Sequence, residues 1–347
     1  MKNRIINGDM RIDQRNAGAS TTPTSIGVGV YALDRWVTFA SQASRFSIQQ
    51  NAGSVTPPAG FTNYLGITSL AATSVGASDY FIVSQKIEGF NAADLNWGTA
   101  NAQSITISFW VRSSLTGTFG GVVTNNAQNR TYPYTYTVNS ANTWEQKSIT
   151  IAGDTTGTWL TNNSTGLWLI FGFGAGSSQS STAGAWGSTS ALSATGATSV
   201  VGTNGATFYI TGVQLEVGST ATSFDYRPYG TELALCQRYY YRQTSVATSD
   251  IFGTALNDST TLANGFVNFP VSMRAAPTAL EQNGTASHYR VQITGNNINC
   301  SSVPSFNSAT TWGSSVLFTV ASGLTAGQAS FLRSNNTSAY LGWSAEL

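Results

Sequence analysis

The chain has 347 residues, of which 41% are hydrophobic and 9% are charged, and its formal net charge is +1. This length allows two domains of ordinary size, and the hydrophobic content excludes a disordered protein. The small net charge gives no excess of positive charge that would bind the phosphates of a nucleic acid. No apolar run is long enough to span a bilayer. Gly, Ser, Thr, Asn and aromatic residues replace the charges, which is typical of short strands joined by tight turns.

The N-terminal segment, MKNRIINGDMRIDQRN, has neither the apolar core nor the cleavage site of a secretory signal. We therefore expect synthesis and folding in a cytoplasm, even if the protein later acts outside. Cys236 and Cys300 are far apart in the sequence. Two buried, reduced thiols are the expected arrangement, and a disulfide is the alternative.

The first fifty residues contain several short apolar patterns. Residues 5–12, with the Asn7-Gly8 turn signal, predict a strand, a turn and a second extended piece. Residues 21–29 are small and polar and predict a loop. Residues 33–37 predict the start of the next strand, with Trp36 in the core and Asp34 and Arg35 as a surface pair. Residues 45–49 place Phe46 and Ile48 inward, and a loop follows over 51–60.

The middle of the chain alternates most regularly. Residues 104–111 alternate strictly, which predicts a strand with one face in a core. Residues 132–138 also alternate, and Pro133 favours a position in an edge strand or at the start of a strand. Residues 144–151 and 167–173 predict two further strands, of which the second is apolar on both faces and therefore central. A long polar loop follows over 174–205.

Residues 208–242 predict the closing strand of one domain and the entry to another. The strand covers 208–217, with Tyr209 on the same face as Val213 and Leu215, and a turn follows at Gly218-Ser219. A helix over 232–237 and a strand over 235–241 both remain open. We expect the aromatic residues of this stretch to form a packed joint between the two domains: Phe224, Tyr226, Tyr229, Tyr239, Tyr240 and Tyr241.

Beyond the joint, short strands are predicted at 266–271, 289–293, 316–320 and 340–343, with a turn at 274–277. No period of 20 to 50 residues repeats, which argues against a solenoid or β-helix. We therefore predict an all-β protein with two jelly-roll-like β-sandwich domains. The domains are residues 1–228 and 243–347, with a connector over 229–242.

The sequence shows no catalytic set. Its one histidine, His288, is predicted on the outer face of a strand, which leaves no Ser-His-Asp or Cys-His arrangement. No zinc-spaced cluster and no phosphate loop occur. Glycoside hydrolysis needs two carboxylates, and no pair among the fifteen is marked out for that role. Asp9, Asp13 and Asp225 are interpreted as turn and cap residues. We predict no enzymatic activity, no cofactor and no metal.

The aromatic residues are the stronger functional signal. Tyr132, Tyr134 and Tyr136 share one strand face, and Trp186 is the one large residue of the long loop. Aromatic faces bind the apolar faces of pyranose rings, so these four residues are the candidate ligand-binding set. The alternative is that the tyrosines pack in a core or a subunit interface with their hydroxyls satisfied at the edge.

Several segments together resemble tailed-bacteriophage virion proteins. These are residues 4–15 (RIINGDMRIDQR), 33–36 (LDRW), 212–218 (GVQLEVG), Phe224, Arg227-Pro228 and 235–240 (LCQRYY). Residues 269–278 are similar to the C-terminal unit of the same phage proteins. Residues 104–112 and 144–151 resemble jelly-roll carbohydrate-binding modules. The resemblance implies a trimeric fibre, tail or head-decoration protein built from β-sandwiches.

The same resemblance raises the question of a structural calcium ion. Jelly-roll modules often hold one near an Asn-Gly-Asp opening, with a Glu two places later and an Asp before the closing Val-Gln-Leu. Here Arg11 and Thr211 stand at those two positions. Both departures remove a carboxylate, so the calcium site is not carried over to this chain.

These observations favour a non-enzymatic virion protein, a fibre or tail component that presents β-sandwiches for host-surface glycan recognition. A capsid or tail decoration or adaptor protein without ligand binding is the alternative, and a polysaccharide hydrolase is a third. The expected partners are further copies of the chain in a homotrimer, other virion proteins and host cell-surface polysaccharide. Nucleic-acid binding and membrane insertion are not expected. The expected location is the virion.

Overall fold

A computed structural model describes residues 2–347. The chain forms two compact units, the first extending to Glu232 and the second comprising Leu233–Glu346. The division falls inside the segment 229–242 that was predicted as a connector. Both units are built from β-strands, and one α-helix, α1 (Tyr229–Gln237), is present in the described part of the chain. The all-β prediction is confirmed.

The described part of the first unit contains thirteen strands. They are β1 (Val30–Leu33), β2 (Trp36–Ala40), β3 (Phe46–Gln50), β4 (Leu65–Ser69), β5 (Tyr80–Glu88), β6 (Ile105–Ser113), β7 (Gly117–Thr124), β8 (Thr131–Val138), β9 (Glu145–Ile151), β10 (Thr165–Ala175), β11 (Ser180–Ser181), β12 (Ser193–Ala194) and β13 (Thr207–Val217). Residues 2–347 contain five 3-10 turns, at Ala52–Ser54, Gly89–Asn91, Ala93–Leu95, Ser177–Gln179 and Ala286–His288.

Two antiparallel sheets make the sandwich of the first unit. One has the order β1-β2-β5-β10-β7-β8 and the other β3-β4-β13-β6-β9, while β11 and β12 form a small parallel pair. The chain passes repeatedly between the sheets, as in a jelly roll. Phe109 of β6 and Phe171 of β10 meet across the layers with ring centroids 5.0 Å apart. The central position of β10 and the edge position of β8 agree with the sequence predictions.

The N-terminal prediction of a strand is wrong. Residues 5–12 are irregular and contain a turn in which the Met10 amide donates to the carbonyl of Asn7. The segment is nevertheless buried because it follows β13 closely. A Cβ atom on Gly8 would lie 2.2 Å from the carbonyl oxygen of Val213. Apolar side chains at this position therefore pack into the core without forming a ladder.

Asp34 and Arg35 are not a surface pair. They form the turn between β1 and β2, both are buried, and Arg35 has a φ of 71°. Asp34 accepts a hydrogen bond of 3.2 Å from the backbone amide of Gln14. Since charged residues are buried only with partners, this turn is tied to the N-terminal segment. Trp36 is fully buried, as predicted.

The face prediction for β13 is also wrong at one residue. Tyr209 lies on the outer side with Tyr64, whereas Val213 and Leu215 belong to the core between the sheets. The register of β13 against β6 shifts between Thr211 and Gln214, and Gly212 there has a φ of 61°. This bulge inverts the alternation, because one extra residue moves all later side chains to the opposite face.

The second unit contains ten strands. They are β14 (Tyr240–Thr244), β15 (Ile251–Asn257), β16 (Leu262–Asn268), β17 (Glu281–Gln282), β18 (Tyr289–Ile293), β19 (Asn296–Asn299), β20 (Ser305–Ala309), β21 (Gly313–Thr319), β22 (Ala329–Ser334) and β23 (Tyr340–Ser344). A seven-stranded sheet has the order β19-β18-β22-β15-β16-β21-β20, and a three-stranded sheet has the order β14-β23-β17. Tyr289, Phe318 and Trp343 from the two sheets share one core.

Several predictions for this unit need correction. The strand predicted at 266–271 is β16, which ends at Asn268, two residues before Pro270. Strands β15, β17, β19, β20 and β22 were not predicted. Of the two alternatives around Leu235, the helix is the one present, and the strand β14 begins only after it. His288 ends a 3-10 turn before β18, and its Nδ1 atom lies 2.6 Å from the Asn283 side chain.

Two further expectations concern the whole chain. Cys236 and Cys300 are buried and form no disulfide, as expected. Burial raises the pKa of the Cys300 thiol to about 12. Within residues 2–347, no helix combines the length and the apolarity needed to cross a bilayer.

Candidate functional site

The structure divides the predicted tyrosine platform into two parts. Tyr134 and Tyr136 are buried between the sheets, where they contact Phe171 and Phe109. The Tyr134 hydroxyl donates to the Ile170 carbonyl at 2.8 Å, and burial raises the pKa of both tyrosines. These two rings cannot stack on a sugar, so the platform prediction is wrong for them. Their face of β8 is the core face of the sandwich.

Tyr132 and Trp186 do come together. Tyr132 lies at the start of the same strand, where it is half-buried, and its ring centroid is 5.3 Å from that of Trp186. Trp186 in turn contacts Trp97 at 5.3 Å and Trp159 at 5.5 Å, both with rings nearly perpendicular. Trp97 and Trp159 meet at 4.6 Å. We call these four residues the tryptophan cluster.

Each indole of the cluster is oriented by a hydrogen bond to the backbone. The Nε1 atom of Trp97 donates to the Gln103 carbonyl at 2.7 Å. That of Trp186 donates to the Ala152 carbonyl at 2.8 Å, and that of Trp159 to the Thr156 carbonyl at 3.2 Å. Because the polar edges are satisfied inside the protein, the apolar ring surfaces are what the cluster can offer to a ligand.

Two glycines allow the loops that carry these rings to approach each other. Gly98 has a φ of +84°, and a Cβ atom there would lie 2.7 Å from the Gly157 carbonyl oxygen. Gly157 has a φ of +80°, and its Cβ atom would lie 2.3 Å from Cγ of Arg130. Both positions combine a left-handed backbone with a close contact, which favours glycine.

A partly buried ion pair fixes the loop that holds Trp159. Arg130 donates to both carboxylate oxygens of Asp154 at 2.7 Å, and Asp154 also accepts from the Thr156 amide at 3.2 Å. Burial would raise the pKa of Asp154, but these hydrogen bonds outweigh it and hold the pKa below the ordinary value of 3.8. Bidentate pairs of this kind fix orientation as well as charge.

A small pocket lies beside two of the rings. It has a volume of about 140 Å³ and is lined by Trp97 and Trp159 together with Leu95, Leu160 and Leu167. Its polar lining comes from Asn96, Thr99 and Thr161. None of the lining residues in the described chain is charged. Aromatic walls with a few amide and hydroxyl groups are the usual lining of a small-ligand site, and here they suit a neutral, hydroxyl-rich ligand.

Sequence reasoning found Tyr132 and Trp186 but missed Trp97 and Trp159. Both missed residues lie in irregular segments, outside any alternating pattern. Trp97 is followed directly by Gly98, and Trp159 follows Gly157 by two residues. A large aromatic residue next to a glycine in a polar loop is the signal that could have identified them.

The predicted joint residues are placed as follows within their own units. Phe224 and Tyr226 pack on Phe61 of the first unit with ring centroids 5.1 and 5.6 Å apart, respectively. Tyr229 is largely exposed at the start of α1. In the second unit, Tyr239 and Tyr240 are buried, and Tyr241 stacks on Trp343 at 5.9 Å. The joint between the domains stays a prediction.

The residues at the possible calcium position do not fit a cation. The guanidinium of Arg11 forms an ion pair with the Asp9 carboxylate. Thr211 donates its hydroxyl proton to the Asn63 carbonyl at 2.7 Å. A positive side chain therefore stands beside the remaining carboxylate. Among residues 2–347, no three His, Cys, Asp or Glu side chains are grouped closely enough to hold a metal ion.

The comparisons with known proteins give low similarities. No family model matches the chain, and no curated protein matches it. Among solved structures, it overlaps the enzymatically active domain of tailspike protein 4 of bacteriophage CBA120 at 10% identity and a TM-score of 0.32, over 57% of this chain and 21% of that chain. The chain thus spans about a fifth of that tailspike structure.

Two carbohydrate-binding modules are similar at the same level. TmCBM61, solved with β-1,4-galactotriose, is 10% identical with a TM-score of 0.31, over 63% of this chain and all of the module. A family 11 module from Clostridium thermocellum, solved with a mixed-linked tetrasaccharide, is 10% identical with a TM-score of 0.31, over 57% of this chain and all of the module.

Proposed function

We propose that the protein is a non-enzymatic component of a bacteriophage particle, a fibre or tail protein whose first β-sandwich recognises neutral glycans of the host surface. The observation that carries the proposal is the pocket beside Trp97 and Trp159, which both line it. Two aromatic walls offer surfaces for the apolar face of a pyranose ring, and Asn96, Thr99 and Thr161 offer groups for its hydroxyls. The uncharged lining suits a neutral sugar.

The assignment to a virion rests on sequence. The opening segment 4–15, the closing segment 212–218 and the segment 235–240 together resemble tailed-phage virion proteins. We extend the proposal to a homotrimer that contacts other virion proteins, made in the host cytoplasm and located on the particle. Light scattering checks the oligomer: a trimeric mass is expected, and a monomeric mass contradicts it.

A binding role is favoured over hydrolysis by the state of the carboxylate at the cluster. Asp154 accepts two hydrogen bonds from Arg130 and lies close to the Trp159 indole, 3.3 Å from its Nε1 atom. Hydrolysis of a glycosidic bond requires one carboxyl group to donate a proton and a second to act as base or nucleophile. A carboxylate with a lowered pKa does not donate a proton at neutral pH, and both oxygens of Asp154 accept from the Arg130 guanidinium, which leaves neither free for attack.

The test is a panel of neutral glycans presented to the full-length chain. Wild type should bind at least one glycan, and Trp159→Ala should weaken that binding at least about tenfold, since aromatic contacts dominate such sites. Trp312→Ala is the matched control, because Trp312 is an exposed tryptophan of the second unit. Absence of any bound glycan, or equal binding by Trp159→Ala, would overturn the proposal. Release of shorter oligosaccharides would contradict the non-enzymatic part.

A further inference from the structure

The outer face of the seven-stranded sheet in the second unit carries two exposed phenylalanines in one row. Phe331 of β22 is paired with Thr254 of β15, which is paired on its other side with Phe266 of β16. The rings therefore lie on the same face, two strands or about 10 Å apart. Phe331 is 41% exposed and Phe266 is 46% exposed. Large apolar side chains grouped on a sheet surface indicate a binding surface.

A trough runs along this row. One groove of about 440 Å³ is lined by Phe331 and Gln292, and a second of about 560 Å³ is lined by Phe266, Asn264 and Ser315. Both include Thr254, Ala255 and Ala329, so they are continuous. Each groove alone has the size of a site for a small ligand. The described lining consists of aromatic, aliphatic, hydroxyl and amide groups.

Two arginines stand on the same sheet next to the trough. Arg290 of β18 and Arg333 of β22 are cross-strand partners. Arg290 is two residues from Gln292, and Arg333 is two residues from Phe331, so all four share the outer face. The guanidinium carbon of Arg333 is 5.7 Å from the Phe331 ring centroid. The positive charge thus adjoins the aromatic surface directly.

The partners of both guanidiniums are neutral oxygens. Arg290 donates to the Thr248 carbonyl at 2.8 Å, to the Ser249 hydroxyl at 2.6 Å and to the Asn335 side chain at 3.2 Å. Arg333 donates to the Ser249 carbonyl at 2.7 Å. Within residues 2–347, neither arginine forms an ion pair with a carboxylate.

The carboxylate of Asp250, the residue after Ser249, is directed to its own loop. It accepts from the backbone amides of Val246 at 2.6 Å and Ala247 at 2.9 Å. The charges of Arg290 and Arg333 are therefore not neutralised by it. Like charges placed directly opposite on a sheet are unfavourable. Two adjacent positive charges beside a trough favour an anionic ligand.

We propose that this trough binds a polysaccharide segment that carries carboxylate groups. Phe331 and Phe266 contact the apolar faces of sugar rings, and Thr254 and Asn264 bind hydroxyls. Arg290 and Arg333 bind a carboxylate. A second copy of this chain offers less complementary charge, because the whole chain has a net charge of +1. This site rests on the proposed role in glycan recognition but not on the pocket of the first unit.

The experiment measures dissociation constants of the full-length chain for acidic polymers (polygalacturonate, hyaluronate, alginate) and neutral ones (methyl-esterified polygalacturonate, dextran). At least one acidic polymer should bind, and Arg333→Gln and Phe331→Ala should each weaken binding about tenfold. Binding should also weaken as salt is added. Lys2→Gln, which removes a charge from the first unit, and Phe90→Ala, which removes an exposed ring there, are the matched controls and should bind as wild type does.

Three results would overturn the proposal: no acidic polymer binds, Phe331→Ala weakens the binding of a neutral polymer as much as that of the acidic ones, or Arg333→Gln and Phe331→Ala bind the acidic polymers as tightly as wild type. A lower molar mass of Phe331→Ala in light scattering, without a change in glycan binding, would show instead that the face joins copies of the chain. Unchanged unfolding midpoints of the variants exclude misfolding. Failure here leaves the neutral-glycan result with Trp159→Ala intact, so the two sites are tested separately.

Discussion

The inward-facing tyrosines of β8 and the tryptophan cluster at its beginning are adjacent in the chain and differ in physical role. Tyr134 and Tyr136 are enclosed by two sheets, and their position follows from strand alternation. Tyr132 belongs to the same face, but it lies at the edge of the core, where loops supply Trp97, Trp159 and Trp186. Aromatic residues a few positions apart therefore have different roles. Those covered by both sheets form the core, and the one covered by loops belongs to a surface with a pocket.

The largest expected effect is on the core side of this comparison. Tyr134→Ala removes a fully enclosed ring and should lower the free energy of unfolding by about 3–5 kcal/mol. Urea denaturation measures the loss. Tyr132→Ala, at the half-buried end of the same face, should cost clearly less. Equal losses would mean that the tryptophan cluster is as much a part of the core as Tyr134.

On the cluster side, the largest expected loss comes from its ion pair. Asp154→Ala leaves the Arg130 guanidinium without its bidentate partner and should lower the free energy of unfolding by about 2 kcal/mol. The variant should also change the near-ultraviolet signal of the tryptophans, since Trp159 follows the same loop. Asp154→Asn, which keeps an acceptor, should lose less. No change in either variant would show that the loop is held by other contacts.

The close approach of the two loops is tested by Gly98→Ala. The new Cβ atom would meet the Gly157 carbonyl and would require a left-handed backbone, which together should cost about 2 kcal/mol. Gly218→Ala is the control, because Gly218 also has a positive φ of 111° but has nothing within 4 Å of the added atom. If the two variants lose the same amount of thermal stability, the contact with the Gly157 carbonyl is not the cause of the loss in Gly98→Ala.

A smaller difference in stability is expected between the variants that remove the buried hydroxyls of Tyr134 and Tyr136. Tyr134→Phe deletes a hydrogen bond to Ile170 and should cost about 1 kcal/mol. In contrast, the Tyr136 hydroxyl is buried with no hydrogen-bond partner in the described structure. Tyr136→Phe should therefore be neutral or stabilising, because it removes an unsatisfied polar group. A larger loss for Tyr136→Phe would contradict the geometry of this core.

The smallest expected effect is on the pH dependence of the free energy of unfolding, through Asp154 beside the tryptophan cluster. The pKa of Asp154 in the folded chain lies below 3.8, so its ionised form stabilises the fold above that value. This stabilisation is lost as the pH falls through the folded pKa. Below that pH the Asp154 carboxylate is protonated in both the folded and the unfolded chain, so its ionisation no longer favours the folded chain. The stability difference between wild type and Asp154→Asn should shrink below about pH 4. A constant difference would exclude the charge as its origin.

Strand alternation allowed much of the fold to be predicted, and its failures have local causes. The pattern of Ile105, Ile107, Phe109 and Val111 identified a core strand because residues two apart share a face. The same rule failed at Tyr209, since the bulge at Gly212 leaves no mark in the pattern of apolar residues. Strands such as Asn296–Asn299 and Ser305–Ala309 were missed because their side chains are mostly polar and exposed.

The candidate sites were less predictable than the fold. Trp97 and Trp159 meet only because Gly98 and Gly157 allow two loops to touch, which is a contact between residues far apart in sequence. The trough in the second unit depends on a register that places Phe331 and Phe266 on either side of Thr254. Neither arrangement follows from a local pattern, because both require the pairing of distant strands or loops.

Hydrogen exchange with and without a bound glycan tests the central claim most directly. The full-length chain would be labelled alone and in the presence of the tightest-binding neutral glycan. Slower exchange is expected at residues 93–99 and 156–161, which carry Trp97 and Trp159. The absence of any bound neutral glycan, or protection confined to other parts of the chain, would contradict it.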